Sequence, residues 1–214
     1  MKRLRPAQVR PLEIWNAEVR GRTLFDWQTS EDYPQVLAEV VDGLRDEYRF
    51  EHVHLLGGAA RRPFVAETLR ATVADDPVFA AARAGAALAP SCADVGQTAI
   101  KLVMQGRQWL RPRDHRRPAA DFIAGALAEL SGPCLLALPC VLDDDLKLTD
   151  CSYDWLADDL RPMLRKAGLD EERALIMNDA ELAAVASMND PRVPRDKRTL
   201  VLTLGFGVGA ALLR

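Results

Sequence analysis

The apolar run at residues 134–141 (CLLALPCV) constrains the fold more than any other feature of this sequence. Its length and its flanking turn residues are typical of a β-strand that is buried on both faces, which requires a sheet covered by helices. Apolar residues at helical spacing occur elsewhere in the chain, at 31–49 and 119–130. The sequence is therefore predicted to form an α/β protein with mixed sheets flanked by helices.

The composition limits the class of partner. The chain has 214 residues, 49% of them hydrophobic, which suits one large domain or two small lobes. A net charge of −3 argues against a protein that mainly binds nucleic acid. The charged start lacks the apolar segment of a secretory signal, and the apolar end at 200–213 is shorter than the roughly twenty residues that cross a bilayer. The expected partner is a small molecule, with no nucleic acid and no membrane.

The cysteines bear on the cellular compartment. They stand at positions 92, 134, 140 and 151, without the spacing of a metal site or a redox pair. Each lies in or next to an apolar run, so we predict buried free thiols, as in proteins of a reducing compartment. A cytoplasmic location is therefore expected.

The rest of the pattern predicts alternating strands and helices. Strands are expected as a hairpin within 12–25, a hairpin at 93–104, and single strands at 50–56, 108–110, 173–177, 199–204 and 210–213. Further helices are expected at 64–74, 78–89, 153–167 and 180–188. His52 and His54 share one strand face, and we expect them to be structural because no further metal ligands lie nearby in the sequence.

Residues 93–102 are predicted to form a strand, a tight turn and a second strand, with one carboxylate at the turn. Gly96 allows the turn, and the N–H groups there, the hydroxyl of Thr98 and the ammonium of Lys101 are suited to phosphate. The Asp94 carboxylate is suited to a hard cation such as Mg²⁺. An ordinary hairpin with Asp and Gly in its turn is the alternative, because short motifs occur by chance.

Three further turns are candidates for ligand binding. The strand that ends in Gly57-Gly58 lets the backbone approach a planar or anionic ligand, although a tight strand-to-helix turn explains the same glycines. Asn178 and Asp179 follow a buried strand directly, at the carboxyl end where ligands bind in open sheets. The glycine turn at 205–209 separates two apolar strands, as either a second phosphate cradle or a plain hairpin.

These motifs, taken in order, resemble the actin-like superfamily of sugar kinases and ATPases, and most closely the ROK sugar kinases. The family's hairpin, Asp-x-Gly-x-Thr-x-x-Lys, matches Asp94, Gly96, Thr98 and Lys101, with Gln97 where a second glycine is common. Other segments similar to family motifs are residues 138–143 with Trp155 following, residues 178–184, and residues 204–209. The resemblance covers residues 91–214.

Residues 53–89 resemble a segment that comes late in the family: a strand ending in Gly-Gly, a helix, and an alanine-rich helix. The family's last segment therefore comes first here, which implies an actin-like (ribonuclease H-like) two-lobe fold that is circularly permuted. Rejoining a fold at neighbouring ends retains its contacts. The implied domains are 1–90, a reduced second lobe on the adenosine side, and 91–214, the first lobe, whose last strands at 205–214 return toward the second lobe.

The resemblance also implies a chemistry. ATP and Mg²⁺ would bind in a cleft between the lobes, and a phosphoryl group would pass to a sugar or a similar hydroxyl compound. Asp94 is assigned to Mg²⁺, Asp179 is assigned as the catalytic base, and Asn178 and Glu181 are assigned to the acceptor. The residues assigned to the nucleotide are Gly57, Gly58, Gly96, Gln97, Thr98, Lys101, Gly205, Gly207 and Gly209.

Departures from the family pattern keep other functions open. The chain is shorter than family members, and it lacks the family's Cys/His zinc motif and its sugar-contacting Glu/His pair. The alternatives are a non-catalytic nucleotide- or sugar-binding regulatory or assembly protein, a sugar-independent ATPase, and an α/β domain whose motifs arose by chance. The presence of both Asp94 and Asp179 favours an enzyme, and the shortened half is compatible with a homodimer.

Overall fold

The computed structural model describes residues 1–62, 64–143, 147–151 and 160–214. Within them the strands, in chain order, are β1 Lys2–Arg3, β2 Val9–Leu12, β3 Glu18–Val19, β4 Arg22–Thr23, β5 His52–Leu56, β6 Thr72–Val73, β7 Ser91–Val95, β8 Ala99–Met104, β9 Arg107–Pro112, β10 Cys134–Leu138, β11 Cys140–Leu142, β12 Leu148–Cys151, β13 Leu175–Asn178, β14 Thr199–Leu204 and β15 Val208–Leu213. The α-helices are α1 Tyr33–Tyr48, α2 Val65–Thr68, α3 Ala80–Leu88, α4 Ala119–Leu127, α5 Arg161–Lys166 and α6 Asp179–Met188.

The first large sheet has six strands in the order β1-β13-β10-β7-β8-β9. Strands β1, β13, β10 and β7 are parallel to their neighbours, whereas β8 and β9 continue from β7 as an antiparallel meander. The sheet is therefore mixed. The predicted hairpin at 93–104 forms its β7–β8 pair, and the run at 134–141 supplies β10, all of whose residues are buried.

The second large sheet has five strands in the order β2-β15-β14-β5-β6. Strands β14, β5 and β6 are parallel, and β15 and β2 follow β14 in antiparallel pairs. The two sheets therefore share a strand pattern. In each sheet, a central strand has two antiparallel strands on one side, which continue from it as a meander. On its other side lie two strands parallel to it. The first sheet adds β1 at its edge.

The helices cover both faces of each sheet. The alanine-rich α3 packs against β7, β8 and β10, and α6 packs against β14, β15 and β2. These two helices also pack on each other, so their small residues form one core cluster with both sheets, including Ala82, Leu135, Ala183 and Val201. On the outer faces, α1 covers the second sheet and α4 with α5 covers the first. The prediction of an α/β protein with helix-flanked mixed sheets is confirmed.

Sheet membership departs from the expected division of the chain. Thr199–Leu204 was expected with residues 91–214, but it pairs with β5 and is the central strand of the second sheet. Lys2–Arg3 was expected with residues 1–90, but it forms the edge of the first sheet beside β13. Long-range pairing decides both placements, and neither strand carries a local signal of its partner.

Two of the expected helices differ from the structure or lie partly outside the described residues. The helix expected at 64–74 is wrong over most of its length, because α2 ends at Thr68 and Thr72–Val73 forms a strand beside β5. Arg70 adopts a left-handed conformation with φ of 50°, which breaks the helix, and the following β-branched residues suit a strand. Of the helix expected at 153–167, the structure describes α5, while residues 152–159, with Trp155, lie outside the described residues.

The prediction of four free thiols is wrong for two cysteines. Strands β11 and β12 pair antiparallel with Cys140 opposite Cys151, and a disulfide joins the two. Cys92 and Cys134 are free and buried, as predicted. Along the described parts of the chain, no helix combines the length and the apolar character needed to span a membrane.

Candidate functional site

The β7–β8 hairpin carries a paired carboxylate and ammonium. Asp94 and Lys101 stand opposite each other in the antiparallel register, so both side chains leave the same face of the sheet. The Nζ of Lys101 lies 3.0 Å from Oδ2 of Asp94. The Asp94 side chain is only 8% exposed, so this ion pair is largely shielded from water.

The turn of this hairpin is tight. The N–H of Gly96 donates to the carbonyl of Ala99 at 3.0 Å. A Cβ at Gly96 would lie 3.0 Å from that oxygen and 3.1 Å from Nζ of Lys101, so even a methyl group would crowd the turn. Gln97 is half-buried, and Thr98 is exposed, with its carbonyl accepting a hydrogen bond from the N–H of Arg113. The turn therefore presents its polar groups at the surface beside Lys101.

Strand β13 delivers a second carboxylate to the same place. Asp179 is the first residue of α6, and its Oδ1 accepts a hydrogen bond from the N–H of Ala180 at 2.8 Å. Its side chain is half-buried and surrounded by protein. Burial, and then the negative charge of Asp94, raise the pKa of Asp179 to about 7, while Lys101 opposes the rise. Asp94, Lys101 and Asp179 thus form one electrostatic cluster.

The two residues assigned to the acceptor, Asn178 and Glu181, form the N-terminal cap of α6. The Oδ1 of Asn178 accepts from the N–H groups of Ala180 and Glu181, and a carboxylate oxygen of Glu181 accepts from the N–H of Asn178. This reciprocal pair is a capping box. The amide nitrogen of Asn178 also donates to the carbonyl of Cys140 at 2.9 Å, which ties the cap to β11.

Sequence reasoning missed the partner of Glu181. This carboxylate is buried, and its Oε1 lies 3.6 Å from the guanidinium of Arg3 on the edge strand β1. Arg3 comes from the far end of the chain, in a basic stretch that gives no local sign of its partner. Glu181 therefore supports the start of α6.

The glycine turn after β14 lies over the start of α6. In the β14–β15 register, Thr203 stands opposite Gly209, and the N–H of Gly205 donates to the carbonyl of Gly207 at 2.9 Å. A Cβ at Gly209 would lie 2.5 Å from Oγ1 of Thr203 and 3.6 Å from Oδ1 of Asp179. Glycine at 209 therefore lets this hairpin come close to the Asp179 carboxylate.

The Gly57-Gly58 turn joins the same region. Gly57 has φ of 90°, its N–H donates to the carbonyl of Pro77 at 2.6 Å, and a Cβ there would overlap the backbone of Leu204. The turn therefore lies against the last residue of β14, directly before the glycine turn. The two motifs are far apart in the sequence, and the parallel pairing of β5 with β14 brings them together.

Neither space nor backbone conformation requires glycine at two positions of these turns. Among the described residues, no heavy atom lies within 4 Å of a Cβ built at Gly58 or Gly207, and neither residue has the positive φ that favours glycine. Backbone without a side chain that faces open space lets a ligand approach closely. Both positions are therefore candidates for direct backbone contact with a bound molecule.

No protein-family model, curated protein or solved structure matches this chain significantly. Within the described residues, no group of three or more His, Cys, Asp and Glu side chains is placed to hold a metal ion. A cation at this site would therefore need ligand oxygens besides the protein's carboxylates.

The two histidines lie away from this site. Both accept or donate a hydrogen bond at Oγ1 of Thr72, at 3.0 Å from His52 and 2.9 Å from His54. His54 is fully buried, and burial lowers its pKa to about 4 despite the nearby carboxylate of Asp190. A neutral imidazole that ties β5 to β6 agrees with the structural role expected for these residues.

Proposed function

We propose that this chain is an ATP-binding protein with a two-lobed, actin-like (ribonuclease H-like) fold and that it transfers a phosphoryl group from ATP to a sugar or similar hydroxyl compound. The repeated strand pattern supports the fold. Each large sheet has a three-stranded antiparallel meander beside two parallel strands, and α3 and α6 pack between the sheets. Two copies of one sheet topology around a shared pair of helices would make the two lobes.

Chain order supports the circular permutation. In the first sheet the repeated strands follow the chain as β7, β8, β9, β10 and β13. The strands at the equivalent positions of the second sheet are β14, β15, β2, β5 and β6. If the C-terminus were joined to the N-terminus, these strands would follow one another along the chain in the same order as those of the first sheet. The ends are neighbours, since the N–H of Arg214 donates to the carbonyl of Gln8 at 3.1 Å.

One observation carries the functional proposal: separate turns converge on a pair of acidic side chains. The β7–β8 turn supplies Asp94 and Lys101, the β13–α6 junction supplies Asp179, and the glycine turn reaches Asp179 through Gly209. Phosphoryl transfer requires positioning and charge neutralisation more than covalent chemistry. Two carboxylates and an ammonium beside tight glycine turns meet that requirement.

The donor set fits a magnesium–nucleotide complex. Asp94 would hold Mg²⁺ together with phosphate oxygens, and Lys101 would hold the phosphates. Mg²⁺ would supply neutralisation of phosphate charge. Gly58 would let the adenosine approach the backbone, because no heavy atom of the described residues lies within 4 Å of where its Cβ would be.

Asp179 would act as the base. Its pKa of about 7 leaves it part ionised near neutral pH, where a general base is most effective. Its Oδ1 is held by the N–H of Ala180, so the carboxylate keeps one orientation while its other oxygen can accept the proton of a hydroxyl.

A sugar-independent ATPase is the second candidate, and the cap of α6 favours it. The Glu181 carboxylate is committed to Asn178 and Arg3, and the Asn178 amide to Cys140 and the helix N-terminus. Neither side chain is therefore presented mainly to an acceptor. In this case Asp179 would orient a water molecule instead of a sugar hydroxyl.

Nucleotide binding and turnover test the proposal together. Titration calorimetry with Mg²⁺–ATP should give saturable binding, and phosphate release should be measured with and without a panel of sugars. Stimulation by a sugar supports the kinase, and release without any sugar supports the ATPase. Absence of Mg²⁺–ATP binding would rule out both.

The variant Asp179→Asn separates binding from chemistry. It should abolish turnover and leave nucleotide affinity nearly unchanged, because the amide retains an oxygen for the N–H of Ala180. Asp42→Asn makes the same chemical change on the exposed surface of α1 and should behave as wild type. Wild-type turnover in Asp179→Asn would refute the role of this residue as the base.

A further inference from the structure

The hairpin of β11 and β12 is crossed by a disulfide. Among the described strands, these two form a separate two-stranded sheet and pair with no third strand. Cys140 and Cys151 stand opposite each other in this pair, and their sulfur atoms are joined. Leu142 and Leu148 attach the hairpin to the core of the first large sheet. A two-stranded hairpin has little stability of its own, so the disulfide is a major part of what holds the two strands together.

The strand β11 is connected to the N-terminal cap of α6 at two points. The carbonyl of Cys140 accepts a hydrogen bond from the amide nitrogen of Asn178 at 2.9 Å. Just beyond the end of β11, the carbonyl of Asp143 accepts from the guanidinium of Arg3 at 3.0 Å, and the same guanidinium lies 3.6 Å from the Glu181 carboxylate. Asn178 and Glu181 are the two members of the capping box, so a displacement of β11 reaches both of them.

The capping box in turn positions the carboxylate of Asp179. Asp179 follows Asn178 directly and is the first residue of α6. The Oδ1 atoms of Asn178 and Asp179 both accept a hydrogen bond from the N–H of Ala180, at 2.9 Å and 2.8 Å respectively. A displacement of Asn178 would therefore disturb the same backbone group that orients Asp179.

We propose that the Cys140–Cys151 disulfide is a redox switch that controls the position of the Asp179 carboxylate. In the oxidised form the disulfide fixes β11, and β11 holds the capping box through its two contacts. In the reduced form the two strands can separate, the hydrogen bond that anchors Asn178 loosens, and water gains access to Asp179. The effect on activity rests on the proposed function, whereas the coupling of the disulfide to Asp179 does not depend on it.

Reduction proceeds by thiol–disulfide exchange with a dithiol. Cys140 is buried and Cys151 only partly so, which makes the sulfur of Cys151 the more accessible to attack. A thiolate of the dithiol bonds to Sγ of Cys151, the bond to Cys140 breaks, and the Cys140 thiolate takes up the proton that the attacking thiol released. The second thiolate of the reagent then displaces Cys151, which is protonated in the same way. The protein gains two electrons and two protons, and the dithiol becomes a disulfide.

An NMR titration of the Asp179 carboxyl carbon tests the coupling without any nucleotide. The full chain is compared in its oxidised form and after reduction with dithiothreitol, at a temperature at which both forms are folded. Because burial is the largest cause of the raised pKa of Asp179, reduction should move the titration midpoint to lower pH by roughly one unit. A midpoint that stays the same or rises on reduction would overturn the proposal.

Three variants locate the coupling. Cys151→Ser removes the disulfide permanently, so its midpoint should equal that of the reduced wild type and should not respond to dithiothreitol. Cys134→Ala removes a buried thiol outside the disulfide and should respond as the wild type does. Asn178→Ser keeps an oxygen for the helix cap but removes the amide that donates to Cys140, and its response should be smaller. A full response in Asn178→Ser would refute the route through this side chain.

Turnover of Mg²⁺–ATP separates failure of the switch from failure of the proposed function. Reduction should lower the rate of phosphate release severalfold, and reoxidation with oxidised glutathione should restore the rate. A shifted midpoint in a protein that does not turn over ATP in either form would support the switch and contradict the proposed function. Equal midpoints and equal turnover in the two forms would overturn the switch and leave the proposed function standing.

Discussion

Because of the Asp179 carboxyl, the protein should become less stable as pH rises. The substitution Asp179→Asn should remove this pH dependence. Its pKa is about 7 in the folded protein, against an ordinary value of 3.8. Between these two values the folded state holds a proton that the unfolded state has released, so the free energy of unfolding falls as pH rises. Above about pH 7 the full cost of burying the charge is present.

The size of this cost follows from the difference in pKa. At about 1.4 kcal/mol per pH unit, the rise to about 7 corresponds to roughly 4 kcal/mol, as an upper bound because solvent reaches part of the side chain. Most of the cost develops between about pH 5 and pH 7. Asp179→Asn should therefore stabilise the protein by about 2 kcal/mol more at pH 8 than at pH 5.

Urea unfolding of wild type and of Asp179→Asn at both pH values measures this difference directly. Asp42→Asn, on the exposed face of α1, is the control and should show the same small effect at both pH values. A stability change in Asp179→Asn that is equal at pH 5 and pH 8 would refute the raised pKa, and with it the electrostatic coupling of Asp179 to Asp94.

Four more predictions follow from the contacts described above. Gly209→Ala should lose about 1–3 kcal/mol of stability in urea unfolding, because its Cβ would lie 2.5 Å from Oγ1 of Thr203. Gly207→Ala adds the same methyl group to open space and should keep wild-type stability while weakening Mg²⁺–ATP binding in calorimetry. Reduction of the Cys140–Cys151 disulfide with dithiothreitol should lower the free energy of unfolding by about 3 kcal/mol, because the disulfide limits the entropy of the loop that it closes in the unfolded chain. An unchanged denaturation midpoint would contradict this prediction. Asp94→Asn should lower the pKa of Asp179, because the negative charge of Asp94 is the second largest cause of its raised pKa. In an NMR titration, the midpoint of the Asp179 carboxyl carbon resonance should move to lower pH.

Local patterns were sufficient for much of the fold. The helix expected at 31–49 appears as α1, whose buried face is the one that helical spacing selects. The apolar run at 134–141 appears as β10 in the interior of a mixed sheet, because only a position between two layers of helices buries both of its faces. The hairpin around Gly96 was also predictable from its turn residues.

The candidate site was predictable in part. The sequence pointed to Asp94, Lys101 and Asp179 as residues with phosphate and acid–base chemistry, and the structure places them in one electrostatic cluster. The resemblance also assigned Asn178 and Glu181 to the acceptor, and in the structure these two residues form a capping box. An Asn-x-x-Glu pattern at the start of a helix is itself a capping signal, so this outcome had a local sign.

The sequence by itself therefore determined the features that depend on neighbouring residues along the chain. These are the helical and strand periodicity, the turns and the polar groups that the turns carry. Tertiary structure alone decided the pairing of β14 with β5, the disulfide between Cys140 and Cys151, and the contact of Arg3 with Glu181. Each of these joins residues whose local sequence is compatible with many partners. Only burial of the whole core, which selects one arrangement of sheets and helices, brings each pair together.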